Sequence, residues 1–317
     1  MPRSSVENPG DGHLWWDSVS RQLQIAGVTV SIESVDGEWT FGGESSYGPF
    51  EVSDQDATVD LTVHWHPTVL EGLGEAVFSA RDMPHRFPPN WRLYKDQQGL
   101  YVLEVNSPGG QPIRQRIGIF PGDFRQGDVY VDLDAGIKPV YPYPLAAPLD
   151  RVLFVNVIAH GLGIMLHACG VVLDGKGYIF AGPSDAGKTT LSRLWADYSN
   201  ATVLGDECLI VREQEGQFWV YGTPWVGEAG LFSPQGAPVE GLFFIDHAGA
   251  NRVAPIPLAL AAEQLLAQSI LTPYDAVAVE FGLDFCLSLV SRVSAHEFGF
   301  LPDRSAVQFM SRNLSGG

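Results

Sequence analysis

The segment GPSDAGKTT, Gly182 to Thr190, carries the most specific chemistry in this chain. It fits G-x-x-x-x-G-K-[ST], the pattern of a loop that cradles phosphates. Gly182 and Gly187 permit the backbone curvature that aims N–H groups at phosphate oxygens. Pro183, Ser184, Asp185 and Ala186 fill the cradle between them, and Thr190 closes it. Lys188 is placed to reach the β and γ phosphates, and Thr189 to put a hydroxyl on Mg²⁺. A helix following the loop would add its positive N-terminus. ATP and Mg²⁺ are therefore the expected cofactors. The required residues arise by chance in about one chain in a hundred of this length. An apolar strand before the loop and an amphipathic pattern after it make chance a poorer explanation still.

Asp206 and Glu207 follow Lys188 by 18 and 19 residues. In phosphate-loop folds the strand after the loop's helix can deliver a carboxylate to the Mg²⁺ shell. Adjacent residues on a strand face opposite ways, but Gly205 at the strand end can turn both acids toward one site. Asp206 is assigned to the metal, directly or through water. Glu207 is assigned to accept the proton of an attacking hydroxyl. His167 is expected beside the loop, orienting Glu207 or touching the γ phosphate. Glu228, in PWVGE, is a candidate second metal or substrate ligand. His64 and His66 form an H-x-H pair with no third ligand in view, so they read as structural. Arg252 reads as a surface residue.

The elements that must position these groups divide into two patterns. Residues 1–138 are strand-rich: 22–32 and 58–65 alternate apolar and polar, and 91–105 reads as a hairpin turning within 95–99. KPVYPYPLAAPLD then holds four prolines, Pro139, Pro142, Pro144 and Pro148. Proline forbids helix and central strand there, so 139–149 is a proline-rich linker or an extended crossing segment. From 150 to 317 helices and strands alternate, as in an α/β fold. Asp150 is expected to N-cap an apolar helix running to His160. Strands are expected over 164–173, 178–181, 202–204 and 239–246. Helices are expected over 188–198 and 257–270, and a hairpin turning at Glu215-Gly216. Residues 150–317 are expected to fold as one unit and the front part as a β-rich accessory domain for acceptor recognition.

Three stretches, HACGVVLDGKGYIFAG from His167 to Gly182, then PSDAGKTTLSRL, then VLGDECLIV, together resemble the catalytic domain of HPr kinase/phosphorylase and its relatives. The resemblance covers roughly 150–310. It implies an α/β P-loop catalytic domain of the HPr kinase/phosphoenolpyruvate carboxykinase-like type, preceded here by the β-rich N-terminal domain. In that family a histidine stands at about this distance before the loop, and a pair of acids ends the next strand. The chain departs from the pattern at Asp185, where glycine is usual, and at Glu207, where aspartate is usual. The family's arginine–glycine signature is replaced by TPWVGE, which points away from HPr itself as the acceptor. Similar diverged relatives include kinases of peptide serines. The resemblance also admits a homo-oligomer.

Composition narrows the partners. Asp and Glu total 37 against 19 Lys and Arg, for a net charge of −18. Such a surface repels nucleic acid and anionic lipid and favours an acceptor with basic flanks. Three spaced cysteines imply no disulfide framework. The first thirteen residues lack an apolar core, so no signal peptide is expected, and the compartment reads as cytoplasmic. The apolar run 152–173 contains Asn156, His160 and His167 and reads as a buried helix and strand rather than a span. The resulting expectation is an ATP- and Mg²⁺-dependent kinase of a serine hydroxyl in a protein or peptide. The alternative is a nucleotide-gated regulatory or binding protein without transfer. A GTPase ranks last, since no N-K-x-D segment is present.

Overall fold

The computed structural model describes residues 19–35, 38–40, 46–70, 72–80, 90–107, 113–133 and 140–314. The N-terminal residues read for a signal peptide, and Lys138 and Pro139 of the proline segment, lie outside the described residues. The architecture is mixed: a β-rich N-terminal region precedes an α/β C-terminal part.

Among the described residues, nine strands form the first sheet. Val19–Ile25 and Val28–Ser34 make a hairpin turning at Ala26 and Gly27, both at positive φ. Val28–Ser34, Val59–His64 and Gln126–Leu133 run parallel, in that order across the sheet. Antiparallel strands Ile113–Phe120, Tyr101–Asn106, Trp91–Lys95 and Ala76–Ser79 follow. The expected 91–105 hairpin is present, and the Asp96 carboxylate holds its turn by accepting from the Gln98 and Leu100 amides. Period-two patterning places Val59, Leu61 and Val63 in the core.

The proline segment is packed rather than solvated. Tyr141, Tyr143, Leu145 and Leu149 are buried in one cluster with Trp39 and Phe154. Its tyrosines and leucines carry apolar area that proline-driven extension alone would leave in water. A solvated linker therefore gives way to a crossing segment over 140–149. The helix Leu149–Ala159 follows, and Pro148, not Asp150, occupies its N-cap. Asp150 lies in the first turn and is wholly buried. The apolar run continues into Gly163–Leu166 and Ala168–Leu173, two strands in different ladders that break at His167, not one continuous strand. No helix among the described residues is long and apolar enough to cross a membrane.

The second sheet carries the loop. Lys176–Ala181 runs parallel to Gly236–His247, which runs parallel to Ser294–Phe300. Both faces are covered, so the strands read as nearly unbroken apolar runs. Ile179, Ala181, Leu242 and Phe244 face the helices Leu258–Gln268 and Ala276–Arg292. Phe180, Phe243 and Ile245 face Lys188–Tyr198 and Arg304–Leu314. The apolar cluster of the first sheet does not stop at residue 150. It takes in Leu153, Phe154 and Val157 of the first helix, together with Met165, Ile210 and Trp225.

Candidate functional site

The strand Lys176–Ala181 ends at Gly182, and the helix Lys188–Tyr198 begins six residues later at Lys188. The connection turns on two residues at positive φ, Asp185 at 68° and Gly187 at 95°. Aspartate tolerates this region better than most residues, so it can stand in for glycine at that point. His247 Nε2–H donates to the Asp185 carbonyl at 2.9 Å and fixes the turn from outside. Gly187 has no substitute: a Cβ there would sit 2.7 Å from the Phe300 ring and 3.1 Å from that of His247. Lys188 is buried, and its Nζ donates to the carbonyls of Gly182 at 2.7 Å and Pro183 at 2.9 Å.

Beyond the strand Thr202–Gly205 the chain bends, and Asp206 and Glu207 both reach the loop's cavity. This cavity measures about 420 Å³. Ser184, Lys188, Thr189, Asp206, Glu207 and Glu228 all line it, as do Asp185, Gly187, Thr190, His167 and His247. Of the loop residues singled out from sequence, Gly182 and Pro183 instead border an adjoining cavity, and Ala186 is buried beneath the turn.

Asp206 is buried and held at both carboxylate oxygens. Its Oδ1 accepts from the Gly227 amide at 2.9 Å and its Oδ2 from the Ala229 amide at 2.6 Å. A carboxylate offers about four lone-pair positions, so each oxygen keeps capacity for another partner. Gly227 is required by this contact, because a Cβ would lie 2.8 Å from Asp206 Oδ2. Glu207 is partly exposed. Desolvation pushes its carboxyl above the usual range, against the opposing charges of Arg151 and Lys188, while Asp206 and Glu228 push the same way as burial. His167 Nδ1–H donates to the Glu207 carbonyl at 3.0 Å, and the same nitrogen lies 3.6 Å from Glu207 Oε1. The His167 amide is itself tied to the Gln268 carbonyl at 2.8 Å.

The hydroxyl and carboxylate oxygens around the cavity are the hard ligands that suit Mg²⁺, and the His167 and His247 rings line it beside them. Among the described residues no three His, Cys, Asp or Glu side chains converge into a ready-made metal cage. Mg²⁺ is usually held by one or two carboxylates together with substrate phosphates and water. Thr189, Asp206 and Glu228 are the residues that would hold it.

His247 and Arg151 were not legible as site residues. His247 sits at the end of a strand whose parallel pairing beside the loop strand is a long-range fact. Arg151 follows Asp150 in the first helix, its guanidinium 5.8 Å from the Trp225 ring centroid and its charge acting on Glu207. Of the H-x-H pair, His64 bonds Asp128 at 2.8 Å and stacks on Tyr130. Arg252 is on the surface, paired with Glu297 at 3.1 Å. The cysteines Cys169, Cys208 and Cys286 are buried and form no disulfide with one another, and burial pushes the Cys169 thiol up to about 12.

A sequence model of the family described as "SynChlorMet cassette protein ScmC" matches residues 150–276. This range contains the loop, both acids, His167, Glu228 and His247. No curated protein matches the chain. Among solved structures, the Hpr(Ser) kinase/phosphatase from Coxiella burnetii matches at 12% identity and a TM-score of 0.29. The match covers 48% of this chain and 95% of that one.

Proposed function

We propose that this protein is an ATP- and Mg²⁺-dependent kinase that phosphorylates a serine hydroxyl of a protein or peptide. The observation that carries the reading is a single cavity walled by residues of the loop from Ser184 to Thr190, by the carboxylates of Asp206, Glu207 and Glu228, and by two histidines, His167 and His247. ATP, when bound with Mg²⁺, supplies the γ-phosphoryl group. The loop amides and Lys188 bind its phosphates, and Thr189, Asp206 and Glu228 face the cation. Glu207 accepts the proton of the serine Oγ as the new O–P bond forms and the bond to the ADP oxygen breaks. A carboxylate held above its usual range is a better base near neutral pH. His167 fixes the Glu207 main chain. Catalysis of this kind is mostly positioning and charge stabilisation, so few side chains need act as bases or acids. The net charge of −18 favours an acceptor with basic flanks.

One observation favours a second reading, nucleotide-gated binding without transfer: both Asp206 oxygens already serve to hold the 227–229 loop. Calorimetric titration with Mg·ATP, beside transfer from γ-labelled ATP to basic serine peptides, separates the two. Lys188→Met should weaken Mg·ATP binding by roughly 10- to 100-fold, the scale of a lost charged hydrogen bond. Binding without transfer to any acceptor supports the second reading. No binding by the wild-type chain overturns both.

A further inference from the structure

Among the described residues, none of the N-terminal region lines the loop's cavity. That region nevertheless grips the segment that holds Asp206. Ser46 Oγ donates to the Pro224 carbonyl at 2.7 Å. Tyr47 Oη donates to Asp150 Oδ2 at 2.5 Å, and Trp225 Nε1 donates to the same oxygen at 3.0 Å. Asp150 is wholly buried, and its other oxygen accepts from the Arg151 amide at 2.7 Å. Two residues beyond Trp225, the Gly227 amide reaches Asp206, and the Ala229 amide follows. The segment is also pinned at Thr223, whose hydroxyl bonds the Cys208 carbonyl, and at Glu228, whose carbonyl accepts from Arg193.

We infer that Tyr47 and Ser46 are positioning residues of the site: they hold the 223–229 segment, through Asp150 and the Pro224 carbonyl, where its amides fix Asp206. The N-terminal region is thus a structural part of the site although none of its described residues walls the cavity. Asp150 is the node. A buried carboxylate must have its oxygens satisfied, and here one donor comes from each side of the proline segment. Loss of the Tyr47 hydroxyl leaves Oδ2 with Trp225 alone and frees the indole, and the loop behind it, to shift. The meaning of this for catalysis rests on the kinase reading of Asp206; the linkage itself does not.

The test is amide hydrogen exchange, read by mass spectrometry on peptides spanning 222–231, in full-length Tyr47→Phe, Ser46→Ala and the double variant. Tyr47→Phe keeps the ring, which lies 4.6 Å from that of Tyr143, and removes only the hydroxyl. Exchange at 227–229 should quicken about tenfold in the double variant, the scale of one lost bond in a buried network. Peptides from the 176–181 strand and the 188–198 helix should be unchanged. Asp206→Asn serves as the reference that loosens the same amides directly. Unchanged exchange at 227–229 in the double variant, with quickened exchange in Asp206→Asn, overturns the inference. Uniformly faster exchange across the chain overturns it too, since Tyr47 would then only support the fold. A second reading on the same variants is the Mg²⁺ concentration needed for nucleotide binding, which should rise in Tyr47→Phe as in Asp206→Asn. If the wild-type chain binds no Mg·ATP, the kinase reading falls and the exchange result still decides the linkage.

Discussion

Asp206 and Glu207 are neighbours in sequence with different surroundings, and the difference assigns them different failures. Asp206 is buried, with one amide donating to each of its carboxylate oxygens. Glu207 is partly open to solvent, its carboxyl raised chiefly by desolvation. Asp206→Asn replaces one acceptor of an amide hydrogen bond by a donor; on the kinase reading it also removes a negative ligand of the cation, so the Mg²⁺ requirement should rise. Glu207→Gln keeps shape but cannot take a proton. Loss of a general base typically costs about 10²- to 10⁴-fold in rate. Single-turnover transfer should fall in that range while Mg·ATP affinity stays within a few-fold. The raised Glu207 carboxyl also sets a pH signature. On the kinase reading Glu207 works as base only when ionised, so the rate should fall as pH drops through a value above the ordinary glutamate range, and stay level above it. Glu207→Gln should abolish that acid limb. A limb that persists in the variant would place the titrating base elsewhere.

The loop illustrates how backbone geometry decides what each position tolerates. At Asp185 the strain of φ 68° costs a non-glycine residue about 1 kcal/mol. Glycine would relieve it but would cost about 0.5–1 kcal/mol in unfolded-chain entropy. The two nearly cancel, so Asp185→Gly should leave thermal stability within about a degree or two of wild type. It also removes a negative side chain from the cavity wall, so Mg·ATP binding should tighten by a few-fold in calorimetry. Gly187→Ala has no such balance: φ 95° and a ring at 2.7 Å oppose the methyl together. It should lower stability by about 1–3 kcal/mol in denaturant titration and weaken nucleotide binding. These elements were legible because their signals are local. The loop pattern, the helix at 188–198, the hairpins about 95–99 and 215–216, and the acids at a strand end all follow from neighbours in sequence. What escaped depends on distant partners. Asp150 is a good capping residue by type, yet Tyr47 and Trp225 draw it into the core. His247 enters the site only because its strand lies parallel to the one that feeds the loop. The 164–173 run breaks at His167 because its two parts pair with different neighbours, which periodicity cannot reveal.

At the scale of the whole molecule the question is whether the α/β part can stand alone, and the apolar clusters bear on it directly. The first cluster joins strands of the N-terminal sheet to Leu153, Phe154, Val157, Met165, Ile210 and Trp225. Full burial of a large apolar side chain is worth about 1.5–3 kcal/mol. Losing half the burial of these six would remove about 5–9 kcal/mol, comparable to the whole stability of a typical domain, about 5–15 kcal/mol. Buried Asp150 would lose the Tyr47 hydroxyl, and Arg212 would lose the Ala26 carbonyl that its guanidinium bonds at 2.5 Å. A chain of residues 150–317 should therefore retain far-UV circular dichroism but show weak near-UV signal and bind a hydrophobic dye, the marks of lost side-chain packing. The full chain should unfold in one transition, with calorimetric and van't Hoff enthalpies in agreement. Limited proteolysis should spare 140–149, where tyrosine and leucine side chains are buried, and cut elsewhere first. A 150–317 fragment with native near-UV signal and a transition within a few degrees of the full chain would show that the cluster divides at the proline segment after all. In that case the N-terminal sheet would be an appendage, and its grip on the 223–229 segment would matter to the site without mattering to the fold.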